Sequence, residues 1–197
     1  LEKMHDIFDV WFESGTSWYA VMQARSQGYP IDLYLEGSDQ HRGWFQLSML
    51  PALATTGVSP FKTVLTHGFM VAKDGKKMSK SGGNALSVEE LLKDFGADVC
   101  RWWVGSLAYE NDVKVDMSFF EIAAESYRKV RNTLRFLLGN VGVVADVEIS
   151  STSIDGWALG ELTKMETKVI SSLHRYEFRV AQQALYDFCN HTLSSMY

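Results

Sequence analysis

The sequence predicts an α/β fold that passes into an all-helical segment, on three observations. Short apolar runs at Ile31 to Leu35 and in FKTVLTHGFMVA, residues 61–72, read as strands. Between them Trp44, Leu47, Leu50 and Leu53 recur at helical spacing. Beyond about residue 116 only helical periodicity remains. Strands alternating with helices indicate a parallel sheet, in which ligands bind at the carboxyl ends of the strands.

Taken in order, the first run turns through Gly37 and Ser38 into the helix that begins near Trp44. The second run carries β-branched Thr63, Val64 and Thr66 and leads into a lysine-rich segment. Ser87, followed by Glu90, forms a capping box, and Gly96 is the stop for the helix it opens. Ala97 to Leu107 reads as a further helix. A second capping box, Ser118 with Glu121, predicts a long helix whose apolar positions are Ala123, Tyr127, Val130, Leu134, Leu137 and Val141. The polar stretch ADVEISSTSIDG separates it from two more helices. These run from about Trp157 to Ser172 and from Tyr176 onward, the latter with Phe178, Ala181, Leu185 and Phe188 at helical spacing.

Composition narrows the function. At 197 residues and 46% hydrophobic content the chain holds one large domain or two small ones. It contains no apolar run of the ~18 residues that a membrane helix needs, and LEKMHDIFDV lacks the basic-then-apolar order of a signal peptide. No membrane partner is expected. Cys100 and Cys189 lie too far apart for a CxxC pair, so no zinc site is expected and a reducing, cytoplasmic setting is the default. The chain starts at Leu1 and stops inside the helical pattern NHTLSSMY, which reads as a piece of a longer polypeptide.

The net charge is −5, yet Lys73, Lys76, Lys77 and Lys80 crowd into KDGKKMSKSGGN. Ammonium groups with the hydroxyls of Ser79 and Ser81 suit phosphate oxygens. Flanking glycines let backbone approach a ligand or move as a lid. A solvated hairpin tip is the plainer alternative. The segment is not a Walker loop, because GxxxxGK[ST] is absent.

Residues 77–81, KMSKS, are identical to the second signature of the class I aminoacyl-tRNA synthetases. They follow DVWFESG and YLEGSDQHRGWF and precede GADVCRWWV, a series that closely resembles the isoleucine-specific members of that family from Asp9 to about Val141. The resemblance implies the C-terminal half of a Rossmann-like catalytic domain over residues 1–115. Residues 116–197 would begin an all-α anticodon-binding bundle. It implies ATP-dependent activation of L-isoleucine and its transfer to tRNA(Ile), with Mg²⁺ accompanying ATP, by a cytoplasmic protein expected to be a monomer. No carboxylate cage for the ion is visible in the sequence.

Adenylation builds negative charge on phosphorus and on the leaving pyrophosphate, so positioned cations suffice to accelerate it. By resemblance Lys80 and Lys77 are those cations, Lys80 the principal one, and Met78, Ser79, Ser81 and His67 complete the ATP contacts. A histidine at a strand end is equally a structural hydrogen-bonding group. Glu36, Gly37, Asp39 and Gln40 would surround the aminoacyl-adenylate, Gly37 permitting close approach. The alternative there is a capped strand-to-helix turn in which Ser38 or Asp39 satisfies helix N–H groups. His41 would position rather than transfer protons.

Trp44 and Trp11 would line the pocket for a branched aliphatic side chain, although each residue type is also common in cores. Such a pocket is permissive, because one methylene is worth only about 1 to 3 kcal/mol; the discrimination of isoleucine from valine by this family is the standing instance. Arg128, Arg131 and Arg135, with Lys129 nearby, form either a solvated basic face or a tRNA contact.

Two departures stand out. No His-x-Gly-His motif occurs, so the first half of the nucleotide site is expected upstream and the isolated chain is expected to be inactive. Glu13 stands where aspartate is more usual. The other readings are a valine, leucine or methionine synthetase, a non-catalytic tRNA-binding segment and a lysine-rich scaffold loop.

Overall fold

The computed structural model describes residues 3–72, 75, 78, 86–142 and 148–197. They form two compact units, one reaching to Phe69 together with Tyr109–Asp112, the other comprising Met70–Ala108 and Val113–Tyr197.

The first unit is built on a strand–helix–strand repeat. Strands β1 (Ile31–Gly37) and β2 (Phe61–His67) pair in parallel, from Ile31 opposite Phe61 to Gly37 opposite His67. Their carboxyl ends therefore finish level. Helix α2 (Trp44–Thr56) connects them, buries Phe45, Ser48 and Ala52, and is preceded by a 3₁₀ turn at Ser38–Arg42. A short helix α1 (Val10–Gly15) precedes the sheet. It starts where extended Asp9 turns its carboxylate back to accept from the Trp11 N–H at 2.8 Å. A π-helical turn, Trp18–Gln23, follows and buries Trp18.

Helix α1 packs on α2 through Gly15. A Cβ there would lie 2.5 Å from the Leu47 carbonyl oxygen, so only glycine fits. Pro51, inside α2, has no N–H to return to that carbonyl, so the helix is open to a neighbour where α1 docks.

In the second unit β3 (Met70–Ala72) and β4 (Val113–Val115) pair in parallel. Helix α3 (Val88–Phe95) begins as its sequence predicts: the Ser87 hydroxyl accepts from the Glu90 N–H at 3.4 Å. It ends at Gly96, whose φ of 80° is readily reached only without a Cβ. Helix α4 (Ala97–Gly105), the long α5 (Met117–Asn140) and β4 supply the core of Val99, Trp103, Val115, Phe120 and Ala123. The Trp103 and Phe120 rings pack at a tilt of 35° with centroids 4.5 Å apart, and Phe120 is 2% exposed. Burial of such a ring contributes on the order of 1.5 to 3 kcal/mol.

The start of α5 differs from the capping box expected at Ser118. Extended Asp116 is the cap, its carboxylate accepting from the Ser118 N–H at 3.0 Å. The Ser118 hydroxyl donates to that same carboxylate and is thereby engaged. The apolar stripe of α5 is buried at Ala123 and Val130 but exposed at Leu134, and Val141 lies just past the helix end. Helices α6 (Ile154–His174) and α7 (Phe178–Asp187) follow, the first capped by Ser153, whose hydroxyl accepts from Gly156. The chain continues as a π-helical turn, Phe188–Leu193. Among the described residues no helix is long and apolar enough to cross a membrane. Cys100 and Cys189 are free thiols.

Candidate functional site

The level ends of β1 and β2 bring Glu36, Gly37 and His67 of the predicted site together. Glu36 pairs in register with Thr66, and Gly37 with His67, so Glu36, Gly37 and the histidine share one end of the sheet. Gly37 is buried, and a Cβ there would stand 2.8 Å from an Asp39 carboxylate oxygen and 3.3 Å from the Phe69 ring. Glycine at this position makes room for the protein's own Asp39 and Phe69 side chains. The Gly37 N–H donates to Glu36 Oε2 at 3.3 Å. The His67 Nδ1–H donates to the Gly68 carbonyl at 2.7 Å, an arrangement that leaves Nε2 as an acceptor in the neutral ring.

Gln40 has a role that its position in the sequence does not reveal. Its amide oxygen accepts from the Trp44 N–H at 2.9 Å, and its NH₂ donates to Asp39 Oδ2 at 3.2 Å. The expected cap by Ser38 or Asp39 gives way to Gln40, because the 3₁₀ turn carries its longer side chain back over the first turn of α2. The amide orders Asp39 and the helix together. Asp39 itself is exposed. His41 meets the Phe45 ring edge-on at 5.5 Å, a packing contact beside the site.

Trp44 is half-buried and held on two sides. Its ring lies parallel to Tyr34, centroids 4.2 Å apart and planes within 6°. Its indole N–H donates to the Ser14 carbonyl at 2.9 Å. That bond ties α2 to α1, one turn from Trp11, whose carbonyl accepts from the Ser14 hydroxyl. Trp11 is 47% exposed and so is available to a ligand. Burial pushes the Tyr34 phenol above its ordinary pKa, with the neighbouring Ser48 and Ser17 hydroxyls opposing. Tyr34 and Ser14 are the participants that sequence reading missed, since no spacing rule brings a strand centre and a helix carbonyl to one indole.

Lys77, Ser79, Lys80 and Ser81 lie outside the described residues. Met78, between them, is half-buried and packs against the Val99, Trp103, Val115, Phe120 and Ala123 core of the second unit. Ahead of it the chain turns at Gly75, whose N–H donates to the Ala72 carbonyl at 2.7 Å with a φ of 81°. Arg128, Arg131 and Arg135 are all exposed on α5, and the Lys129 Nζ donates to the Tyr186 hydroxyl at 3.2 Å.

Residues 1–116 match the family described as tRNA synthetases class I (I, L, M and V). The chain belongs to that family.

Relatives of this class I synthetase chain agree with one another. An isoleucine–tRNA ligase of Desulfotalea psychrophila is 46% identical over 99% of the chain, and one of Geobacter sulfurreducens is 45% identical over 100% of the chain. The chain spans 21% and 22% of these relatives, about a fifth of their length. Among solved structures, LeuRS of Agrobacterium radiobacter K84, in a ternary complex with tRNA and LeuAMS, matches 95% of the chain with a TM-score of 0.77. At 19% identity and 26% coverage of that LeuRS, the likeness establishes the class I synthetase fold, mixed helix and sheet.

Proposed function

We propose that the protein to which this chain belongs is an isoleucine–tRNA ligase. A carboxylate oxygen of L-isoleucine attacks the α-phosphorus of ATP, the bond to the β-phosphate breaks, and isoleucyl-adenylate and pyrophosphate form. The isoleucyl group then passes to tRNA(Ile), releasing AMP. The observation that carries this reading is the set of relatives named isoleucine–tRNA ligase, 41–46% identical across nearly the whole chain.

Lys80 and Lys77 meet the charge that develops on the phosphates, with Met78, Ser79, Ser81 and His67 completing the nucleotide contacts. Glu36, Gly37, Asp39 and Gln40 hold the adenylate. Trp44 and Trp11 enclose the aliphatic side chain. Support for the second group comes from the shared sheet end of Gly37 and His67 and from the Gln40 bridge between Asp39 and α2. Among the described residues no three His, Cys, Asp or Glu side chains stand together as a metal cage. Mg²⁺ enters this reading as a companion of the ATP phosphates, whose charge it shares.

In this reading residues 1–115 are the second half of the nucleotide-binding domain and residues 116–197 the start of the anticodon-binding bundle, in a monomeric cytoplasmic enzyme. The isolated 197 residues are inactive for want of a His-x-Gly-His motif. The test is ATP–pyrophosphate exchange by the full-length protein with isoleucine, valine, leucine and methionine in turn. Isoleucine supports exchange best, valine weakly; exchange driven only by leucine or methionine overturns the assignment.

A further inference from the structure

We propose that Tyr34 is a positioning residue for amino-acid selectivity, acting by fixing the plane of Trp44; the inference rests on the reading that Trp44 lines the isoleucine pocket. Tyr34 sits in the body of β1, 2% exposed, and meets the site through the Trp44 ring. The two rings are within 6° of parallel at 4.2 Å, which covers one face of the indole with a rigid partner. Tyr34 is itself wedged, with Phe61 at 4.7 Å and Phe45 at 6.4 Å between centroids. The bond from the indole N–H to the Ser14 carbonyl, 2.9 Å long, fixes rotation within that plane. One contact sets the plane and the other sets the edge, so Trp44 is held as a wall of fixed orientation.

Selectivity in an apolar pocket depends on such stiffness. A single methylene separates isoleucine from valine and is worth about 10- to 200-fold, this family being the reference case. A wall free to tilt would collapse onto the smaller side chain and lose part of that factor.

The experiment is ATP–pyrophosphate exchange by the full-length protein carrying Tyr34→Leu, Tyr34→Phe or Trp44→Leu. Tyr34→Leu is expected to raise KM for isoleucine about tenfold and lower the isoleucine-to-valine ratio, with KM for ATP unchanged. Tyr34→Phe, which keeps the plane, restores both. Where leucine prevents folding, Tyr34→Met fills the space without a plane and reads the same change. The proposal is overturned if Tyr34→Leu leaves KM for isoleucine and the ratio unaltered, if KM for ATP rises equally, or if phenylalanine fares no better than leucine. Trp44→Leu separates the two levels. No effect there sinks the pocket reading itself, whereas an effect there with none at Tyr34 sinks only the positioning role.

Discussion

Gly15 lies against the backbone of Leu47, so close that a Cβ would come within 2.5 Å of its carbonyl oxygen and 2.7 Å of its carbonyl carbon. The obstacle is backbone, and it cannot swing aside as a flexible side chain would. Gly15→Ala is therefore expected to separate α1 from α2 and destabilise the first unit by about 1 to 3 kcal/mol, the usual cost of overpacking. Urea unfolding followed by tryptophan fluorescence measures it. An unchanged midpoint would show that the two helices do not depend on this contact.

Gln40 and Gly43 form a second interdependent pair. A Cβ at Gly43 would stand 2.5 Å from Gln40 Oε1, the oxygen that accepts the Trp44 N–H. Gln40→Ala removes the acceptor, and Gly43→Ala displaces it. Each is expected to cost about 1 kcal/mol, the scale of a lost helix cap. Because both act on one hydrogen bond, the double variant should cost clearly less than their sum. Additive losses in denaturant unfolding would refute the shared mechanism.

Cys189 is 1% exposed, and burial raises its thiol pKa. The folded chain thus holds this proton more tightly than the unfolded chain does. The associated stability is complete below the thiol's ordinary pKa and is lost as pH rises through the raised folded value. Stability should accordingly decline on the alkaline side of the ordinary thiol range, and Cys189→Ala should flatten that decline. In thiol titration with a disulfide reagent, half-buried Cys100 should react before Cys189. Equal rates for the two thiols in the native protein would contradict the burial.

Lys80 carries the largest predicted effect on chemistry. In the full-length protein Lys80→Ala should lower the rate of adenylate formation by on the order of 10² or more, since a charge contact made in the transition state is lost. Single-turnover measurement of adenylate formation separates this from weaker ATP binding. A rate within twofold of the parent would remove Lys80 from the role.

Much of the first unit was legible. β-Branched Thr63, Val64 and Thr66 marked β2, and the apolar run from Ile31 marked β1, because strand propensity and turn residues act over a few neighbours. Ser87 was legible as a cap for the same reason. Asp116 was missed because the Ser118–Glu121 pair two residues later satisfies the capping-box rule. The cap from Gln40 was hidden because it depends on a 3₁₀ turn that bends a long side chain back toward Trp44.

The candidate site divides in the same way. Glu36, Gly37, Asp39, Gln40 and Trp44 stood out as a contiguous motif, whereas the Tyr34 stack and the Ser14 acceptor exist only once β1, α1 and α2 have assembled. Local pattern identifies which residues are unusual. Long-range packing decides what holds them.

We propose that this chain is part of an enzyme that joins isoleucine to its tRNA. Its most direct test is charging of tRNA(Ile) by the purified full-length protein with ATP and each of the four aliphatic or thioether amino acids. Stable, ATP-dependent attachment of isoleucine is expected. Stable attachment of leucine, valine or methionine in its place, or no charging at all by a protein that folds and binds ATP, would contradict it.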